Sequence, residues 1–463
     1  MNKNFENTIF VLSTSFTQSA IAVFRISGTE CKNIAKSLCG IKKLRDRYVH
    51  YSKICDQEAN LIDKGIVIFF RSPRSYTGED LLEIHVHGSI AIIKKLTDVL
   101  SKMQNTRAGL PGEFSKRAFY NGKGNMLYYE GINNLIKAET ENQRIIANKQ
   151  VLGENSKKCK NWRDRILGNL AMIDSYIEFT EDIGEINTKR MKLELEKIKS
   201  EIGEVYKRSE GNKELIFGPR LMIVGPTNAG KSSLFNFLLQ ENHMIVSKKK
   251  GTTTDQSEKS IEILGQKVNL IDSAGLRDSN LEIEKLGIEK TFNTLKQTKK
   301  IIIVLSPDSL EINSVNKLRE AVDQISLKDI VIVFNKSDLE GSKEKFSAWL
   351  EKIPKLKKFK SITISCKKDF YNNNMLKKLY KFLYKHLISV DTNSDDYYFS
   401  GIRQLECLNK VEENLKMAID HINTDELSSK FLRDAMNELD NLYGKHSQEE
   451  ELGIIFSKFC IGK

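Results

Sequence analysis

One octapeptide limits what this chain can be. Residues 225–232 read Gly-Pro-Thr-Asn-Ala-Gly-Lys-Ser, the pattern G-x-x-x-x-G-K-[ST], standing between the apolar run Leu221–Val224 and a helical period from Ser233 to Leu239. A strand turning sharply into a helix is the setting such a loop requires. Its glycines let backbone N–H groups and the helix N-terminus converge on phosphate oxygens. Lys231 adds a point charge at the β- and γ-phosphates, and Ser232 offers an oxygen to magnesium. Asn228, Ala229, Gly230 and Ser233 complete the cradle. Around it, apolar runs at 221–224, 268–271, 301–305, 330–334 and 361–364 alternate with helical segments, which predicts a doubly wound α/β domain with a mostly parallel sheet.

Other strand ends converge on the same ligand. Asp272-Ser273-Ala274-Gly275 closes one strand, where a carboxylate holds magnesium through water and the glycine admits the γ-phosphate. Asn335-Lys336-Ser337-Asp338 closes another, and a carboxylate there accepts two hydrogen bonds from guanine N1 and its exocyclic amine. Adenine has no such donor pair. Ser365-Cys366-Lys367 follows the last strand and offers a backbone N–H to the guanine carbonyl. Ser247-Lys248-Lys249-Lys250-Gly251-Thr252-Thr253 supplies a switch loop, with a threonine to complete the magnesium shell. The domain reads as a GTP-binding switch. Two residues past Gly275 stands Arg277 instead of a water-positioning glutamine, so hydrolysis needs another group, and the acidic run Leu281–Gly287, with Glu282 and Glu284, is the candidate.

At 463 residues the chain is long enough for about three domains by the ~150-residue rule. We place them at 1–120 (α+β), 121–213 (helical, first part), 214–384 (the inserted α/β GTPase domain) and 385–463 (helical, second part). The second region has no proline between residues 127 and 206, and three-and-four apolar spacing predicts long helices there. Seven scattered cysteines without a C-x-x-C pair argue against a disulfide framework or zinc site and fit a reducing cytoplasm. No apolar run reaches the ~18 residues needed to span a bilayer. The formal charge is +12. Residues 1–123 carry 19 basic against 11 acidic side chains, 124–213 carry 16 against 15, 214–384 carry 29 against 20, and 385–463 carry 9 against 15. The excess thus belongs to two regions and the tail is acidic, a balance that makes a polyanionic partner plausible without demanding it.

On the predicted strand Leu81–Val86, residues 82, 84 and 86 face one way and Glu83 and His85 the other. A carboxylate so placed can accept hydrogen bonds from a pterin. His85 and His87 stand on one strand face without further metal ligands, a pattern more often structural.

Phe-Arg-Ile-Ser-Gly at 24–28, Thr-Gly-Glu-Asp-Leu-Leu-Glu at 77–83, Pro-Gly-Glu-Phe-Ser-Lys-Arg-Ala-Phe at 111–119, the GTPase motifs and the terminal Phe-Cys-Ile-Gly-Lys at 459–463 together resemble the bacterial tRNA-modification GTPase family MnmE, also called TrmE. The resemblance implies an N-terminal tetrahydrofolate-binding dimerisation domain, a split helical domain and an inserted GTPase domain. It also implies a homodimer, joined in a heterotetramer by an FAD-containing partner of the MnmG type. Together they install a carboxymethylaminomethyl-type group at C5 of the wobble uridine of certain tRNAs, using 5-formyl- or methylene-tetrahydrofolate. By the same resemblance Glu284 is the catalytic, water-orienting glutamate, and Arg25, Glu83, Lys123 and Lys463 bind folate, with Arg25 and Lys123 suited to the anionic tail and Cys460 a candidate for chemistry. Asn228, Ser247, Lys249 and Thr252 are the positions for potassium. Three lysines beside a bound monovalent cation repel it, which predicts weakened potassium dependence. The rival readings are a ribosome-assembly switch and a folate-dependent one-carbon transferase with a regulatory GTPase domain.

Overall fold

The computed structural model describes residues 6–178, 188–211, 214, 217–240, 258–272, 300–324, 329–388, 399–445 and 449–459. It divides into two compact units, one made of 1–136, 147–204 and 401–463, the other of 137–146 and 205–400.

In the first unit, strands β1 (Thr8–Leu12), β2 (Ser19–Ser27), β3 (Val49–Cys55), β4 (Leu61–Phe70), β5 (Leu81–Gly88) and β6 (Thr106–Ala108) form one sheet in the order β3-β4-β5-β2-β1-β6. Helices α1 (Cys31–Cys39) and α2 (Ile90–Ser101) bury Ile34, Leu38, Ile93 and Leu96 against Phe24, Ile26, Leu82 and Ile84. Period-two alternation therefore sends Leu82, Ile84 and Val86 into the core and leaves Glu83 and His85 half-buried on the opposite face. This α+β domain matches the expectation. The proline-free stretch after it forms α3 (Glu113–Tyr120), α4 (Met126–Lys137), α5 (Glu141–Val151), α6 (Glu154–Glu178) and α7 (Thr188–Gly211).

The chain returns to the first unit after residue 400 as α12 (Ile402–Asp420), α13 (Asp425–Tyr443) and α14 (Glu449–Ser457), numbered after the four helices of the second unit given below. Ion pairs join partners remote in sequence: Arg163 grips Asp440 through two bonds of 2.8 and 3.0 Å, and Arg403 grips Glu130 through two of 2.9 Å. Leu452, Phe456 and Phe459 of the last segment pack with Ala118, Met126 and Tyr129. That brings the C-terminal segment beside the 111–119 motif.

The second unit holds β7 (Arg220–Val224), α8 (Lys231–Leu238), β8 (Glu258–Ile263), β9 (Gln266–Asp272), β10 (Lys300–Leu305), α9 (Ile312–Gln324), β11 (Asp329–Phe334), α10 (Ser342–Lys352), β12 (Lys360–Thr363) and α11 (Asn373–Leu383). Strand order is β12-β11-β10-β7-β9-β8, parallel except that β8 runs antiparallel to β9. The β8–β9 hairpin adds a sixth strand to the five read from sequence. The near-continuous apolar strands β10 and β11 are buried throughout their middles, as a parallel sheet covered on both faces requires. Leu234, Phe237, Leu376 and Leu379 cover one face, and Val315, Phe346 and Trp349 the other. Among the described residues no helix is long and apolar enough to cross a membrane.

Candidate functional site

β7 ends at Val224, and the loop that follows is shaped by two glycines that no other residue could replace. Gly225 has φ +155°, and a Cβ there would lie 2.2 Å from the Val304 carbonyl oxygen; Gly230 has φ +89°, and its Cβ would lie 2.2 Å from Asn335 Nδ2. Between them Asn228 adopts φ +61° and is exposed at the loop tip. Lys231, the first residue of α8, is buried, and its Nζ donates to the carbonyls of Gly225 at 3.1 Å and Pro226 at 2.9 Å. The ammonium is thus held over the loop that the motif assigns to phosphate. Ser232 and Ser233 are exposed on the first turn of α8. Asp272 pairs in register with Ile223, so the end of β9 lies beside the start of the loop.

Asn335 links this loop to the other strand ends. Its Nδ2 donates to the Ala229 carbonyl at 3.2 Å and its Oδ1 accepts the Cys366 N–H at 3.0 Å. Lys336 takes φ +59° and its Nζ pairs with Asp308 at 2.6 Å. Ser365 Oγ donates to Asp338 Oδ1 at 2.5 Å, and that bond is the main reason the Asp338 carboxyl sits below its ordinary range. Asp338 is therefore ionised at neutral pH, the form that can accept two N–H donors. The expectation for the last loop is sharpened: Cys366 N–H is engaged by Asn335 and Ser365 N–H by Asp369 Oδ2, which leaves Lys367 N–H as the amide the loop can offer. Burial pushes the Cys366 thiol up to about 12, so it is an inert, protonated wall. Ser247, Lys248, Lys249, Lys250, Gly251, Thr252, Thr253, Ser273, Ala274, Gly275 and Glu284 lie outside the described residues.

The N-terminal sheet gathers a second set. Arg25 and Glu83 are register partners on β2 and β5, and Arg25 Nε donates to Glu83 Oε1 at 2.8 Å. His85 Nε2 meets Glu83 Oε2 at 3.3 Å. The His85 bond, then the Arg25 charge, hold the Glu83 carboxyl below its ordinary range against the opposing effect of burial. Because Arg25 and Glu83 touch, they would meet the same end of a bound ligand. Lys123 Nζ donates to the Pro73 carbonyl and remains exposed. His87 bonds Asp63 at 3.0 Å, separate from His85, and among the described residues no cluster of His, Cys, Asp and Glu could hold a metal. Cys460 and Lys463 lie outside the described residues.

Sequence reasoning missed a buried ionic network inside the very motifs that carry the resemblance. Arg117, 1% exposed, bonds Glu79 at 3.0 Å, Glu113 at 3.1 Å and the Asn7 carbonyl at 2.8 Å; Arg107 grips Glu113 from the other side. Ser27 Oγ bonds both Thr77 and Glu79 at 2.7 Å. Burial works to raise the Glu113 carboxyl, but Arg107, the Leu110 N–H and Arg117 outweigh it and hold it low. The charged residues spaced through 77–83 and 107–117 signalled pairing, but pairing partners 38 residues apart cannot be read from spacing.

Comparison with known proteins bears on the whole chain. Residues 8–123 match the family described as GTP-binding protein TrmE N-terminus, and residues 127–460 match the MnmE helical domain. Relatives named tRNA modification GTPase MnmE are 34% identical in Aquifex aeolicus, over 98% of this chain and 99% of the relative, 32% in Sulfurovum sp., over all of both, and 34% in Rickettsia typhi, over 98% and 100%. The phosphate loop, the guanine-side loops, the N-terminal sheet and the helices between them are thus matched together and in order, and the chain belongs to the MnmE (TrmE) family of tRNA modification GTPases.

Proposed function

We propose that this chain is the GTP-hydrolysing component of a tRNA-modifying assembly. In this reading it adds a carboxymethylaminomethyl-type group at C5 of the wobble uridine, position 34, together with a flavin-containing partner. The observation that carries this reading is the combination, in one chain, of a nucleotide cradle tied by Asn335 to its guanine-side loop and a half-buried ionised carboxylate on a separate sheet. A simple switch has no use for the second, and a simple transferase has no use for the first. GTP is bound with the phosphates against the 228–233 backbone and Lys231, and with guanine between Asp338, Asn335 and the 365–367 loop. Ser232 and Thr253 would ligate magnesium, with Asp272 acting through water, and the metal would offset charge on the phosphates. Asn228, with Ser247, Lys249 and Thr252, would hold potassium. Glu284 orients the attacking water.

The N-terminal donor set fits a reduced folate: Glu83, ionised and half-buried, can accept from the pterin amino and ring N–H groups, with Arg25 and His85 fixing the carboxylate's orientation. Lys123 and Lys463 would take the anionic tail, and the folate would supply the one-carbon unit. By the family resemblance, Cys460 is the candidate nucleophile. Domain boundaries at 120, 213 and 384, a homodimer, a heterotetramer with the flavoprotein, and a cytoplasmic setting complete the proposal. Hydrolysis resets the switch rather than performing the modification. Nucleoside analysis of tRNA after deletion of the gene tests it: loss of the C5-modified wobble uridine is expected, and unchanged tRNA would overturn it.

A further inference from the structure

A stretch of extreme charge asymmetry occupies one edge of the α/β unit. Between Lys352 and His386 the chain has eleven lysines and one acidic residue, Asp369. All eleven lysines are exposed. General lysine enrichment does not account for this, since residues 124–213 balance 16 basic against 15 acidic side chains. What distinguishes the stretch is the near-absence of acids.

The fold gathers these lysines from several elements. β12 pairs only with β11 among the described residues and so forms the open edge of the sheet. The short turn Pro354–Lys358 leads into it, burying Leu356 on one sheet face and exposing Lys357 and Lys358. α11 covers the other face: Asn372 caps it by accepting from Asn374 and Met375 N–H, and Leu376, Leu379, Tyr380 and Leu383 enter the core. Its lysines are thereby turned outward, with Lys381 four residues after Lys377 and three after Lys378, close enough to repel. Charge from strand and helix meets at His386, whose pKa is lowered by burial and then by Lys385 and Lys360. An edge strand often carries lysine to block pairing with another chain, which accounts for Lys360 but not for the helical row.

We infer that this edge, β12 with the outer flank of α11, is a docking surface for the phosphate backbone of tRNA, beside the guanine-side loop; the inference rests on the tRNA reading proposed above. Repelling ammonium groups held at helical spacing favour an anion that spans them. RNA fits better than a lipid surface for two reasons. The apolar face of α11 is spent on the core, so no apolar stripe is left to enter a bilayer. Tyr371, at the start of this flank, is 91% exposed, with the Phe370 ring edge-on at 5.2 Å, a platform on which an unpaired base can stack.

The test uses the full chain and a fluorescein-labelled, unmodified tRNA transcript, with anisotropy titrations across a range of potassium chloride. The variant is Lys377→Gln with Lys378→Gln and Lys381→Gln, and the control neutralises Lys157, Lys160 and Lys192 in the same way. The variant is expected to bind tRNA at least about tenfold more weakly, with a salt slope shallower by about 2, as three lost phosphate contacts require. Its GTP turnover without RNA stays at the wild-type rate, and the control binds as wild type does. Unchanged affinity and slope in the variant, or an equal loss in the control, overturns the inference. So does loss of binding to vesicles containing phosphatidylglycerol while tRNA binding persists. If the wild-type chain binds no tRNA, the tRNA reading fails along with this surface, whereas equal binding by wild type and variant removes the surface alone.

Discussion

Asn335 donates to the carbonyl of Ala229 across 3.2 Å, so a residue at the end of β11 braces the phosphate loop from behind. The same side chain accepts from Cys366 N–H. Both bonds are buried, and Asn335 is 1% exposed. Replacing Asn335 with Ala leaves an orphaned carbonyl and an orphaned amide, each worth about 1–3 kcal/mol when buried without a partner. Asn335→Ala should lower guanine-nucleotide affinity at least tenfold, measured with a fluorescent GDP analogue, and should lower the unfolding midpoint in urea. An affinity loss without any stability loss would show that the brace is not what the residue provides.

Glu83→Gln keeps the shape of the N-terminal carboxylate and removes its charge. The account expects binding of 5-formyltetrahydrofolate, followed by calorimetry, to weaken by about tenfold or more, the scale of one charge-assisted hydrogen bond. GTP turnover should stay at the wild-type rate. Arg25→Ala should weaken folate binding through the same end of the ligand, since the two side chains are 2.8 Å apart. If Arg25→Ala instead affected only ligands with a long polyglutamate tail, Arg25 would serve the anionic tail and not the pterin end.

The ionic network around Arg117 makes stability depend on acid in a defined direction. Glu113 has a folded-state pKa below its ordinary 4.5. The unfolded chain therefore takes up the proton first as pH falls, so the contribution of Glu113 is present above 4.5 and is lost as pH drops through the folded value. Glu113→Gln should cost about 3–5 kcal/mol at pH 7, the scale of breaking a buried pair. The same variant should lose less further stability than wild type between about pH 5 and pH 3. Urea midpoints at several pH values check both statements, and parallel curves for the two proteins would contradict them.

In sequence, Lys248, Lys249 and Lys250 fall among Ser247, Lys249 and Thr252, the positions proposed for potassium. Hydrolysis should then respond weakly to the choice of cation, with turnover in potassium within about threefold of that in sodium, because fixed ammonium charges substitute for part of the field. Strong activation by potassium over sodium would contradict this.

The fold was largely legible because its signals are local. A phosphate loop between strand and helix, apolar runs of parallel-strand length, and alternation at Leu82, Ile84 and Val86 each depend on a handful of neighbouring residues. The β8–β9 hairpin escaped notice because β8 has only Ile261 and Ile263 facing the core. The site was less legible where it depends on contacts between distant segments. Nothing in the spacing of Asn335 says that it braces Ala229, and nothing in Arg25 says that it opposes Glu83 in register. The motifs at 77–83 and 111–119 proved to be charged for structural reasons at Glu79, Glu113 and Arg117, which sequence alone does not separate from ligand-binding charge.

The tRNA-modifying role proposed for this chain depends on its GTP cycle, with hydrolysis resetting the switch. It is tested most directly by returning wild type or Lys231→Ala to a strain lacking the gene and measuring C5-modified wobble uridine in its tRNA by mass spectrometry. Lys231 Nζ donates to the Gly225 and Pro226 carbonyls of its own phosphate loop, and the abundance of the variant in the cell reports whether its fold is kept. The account predicts that wild type restores the modified nucleoside and that Lys231→Ala, present at equal abundance, does not. Full restoration by Lys231→Ala would contradict it.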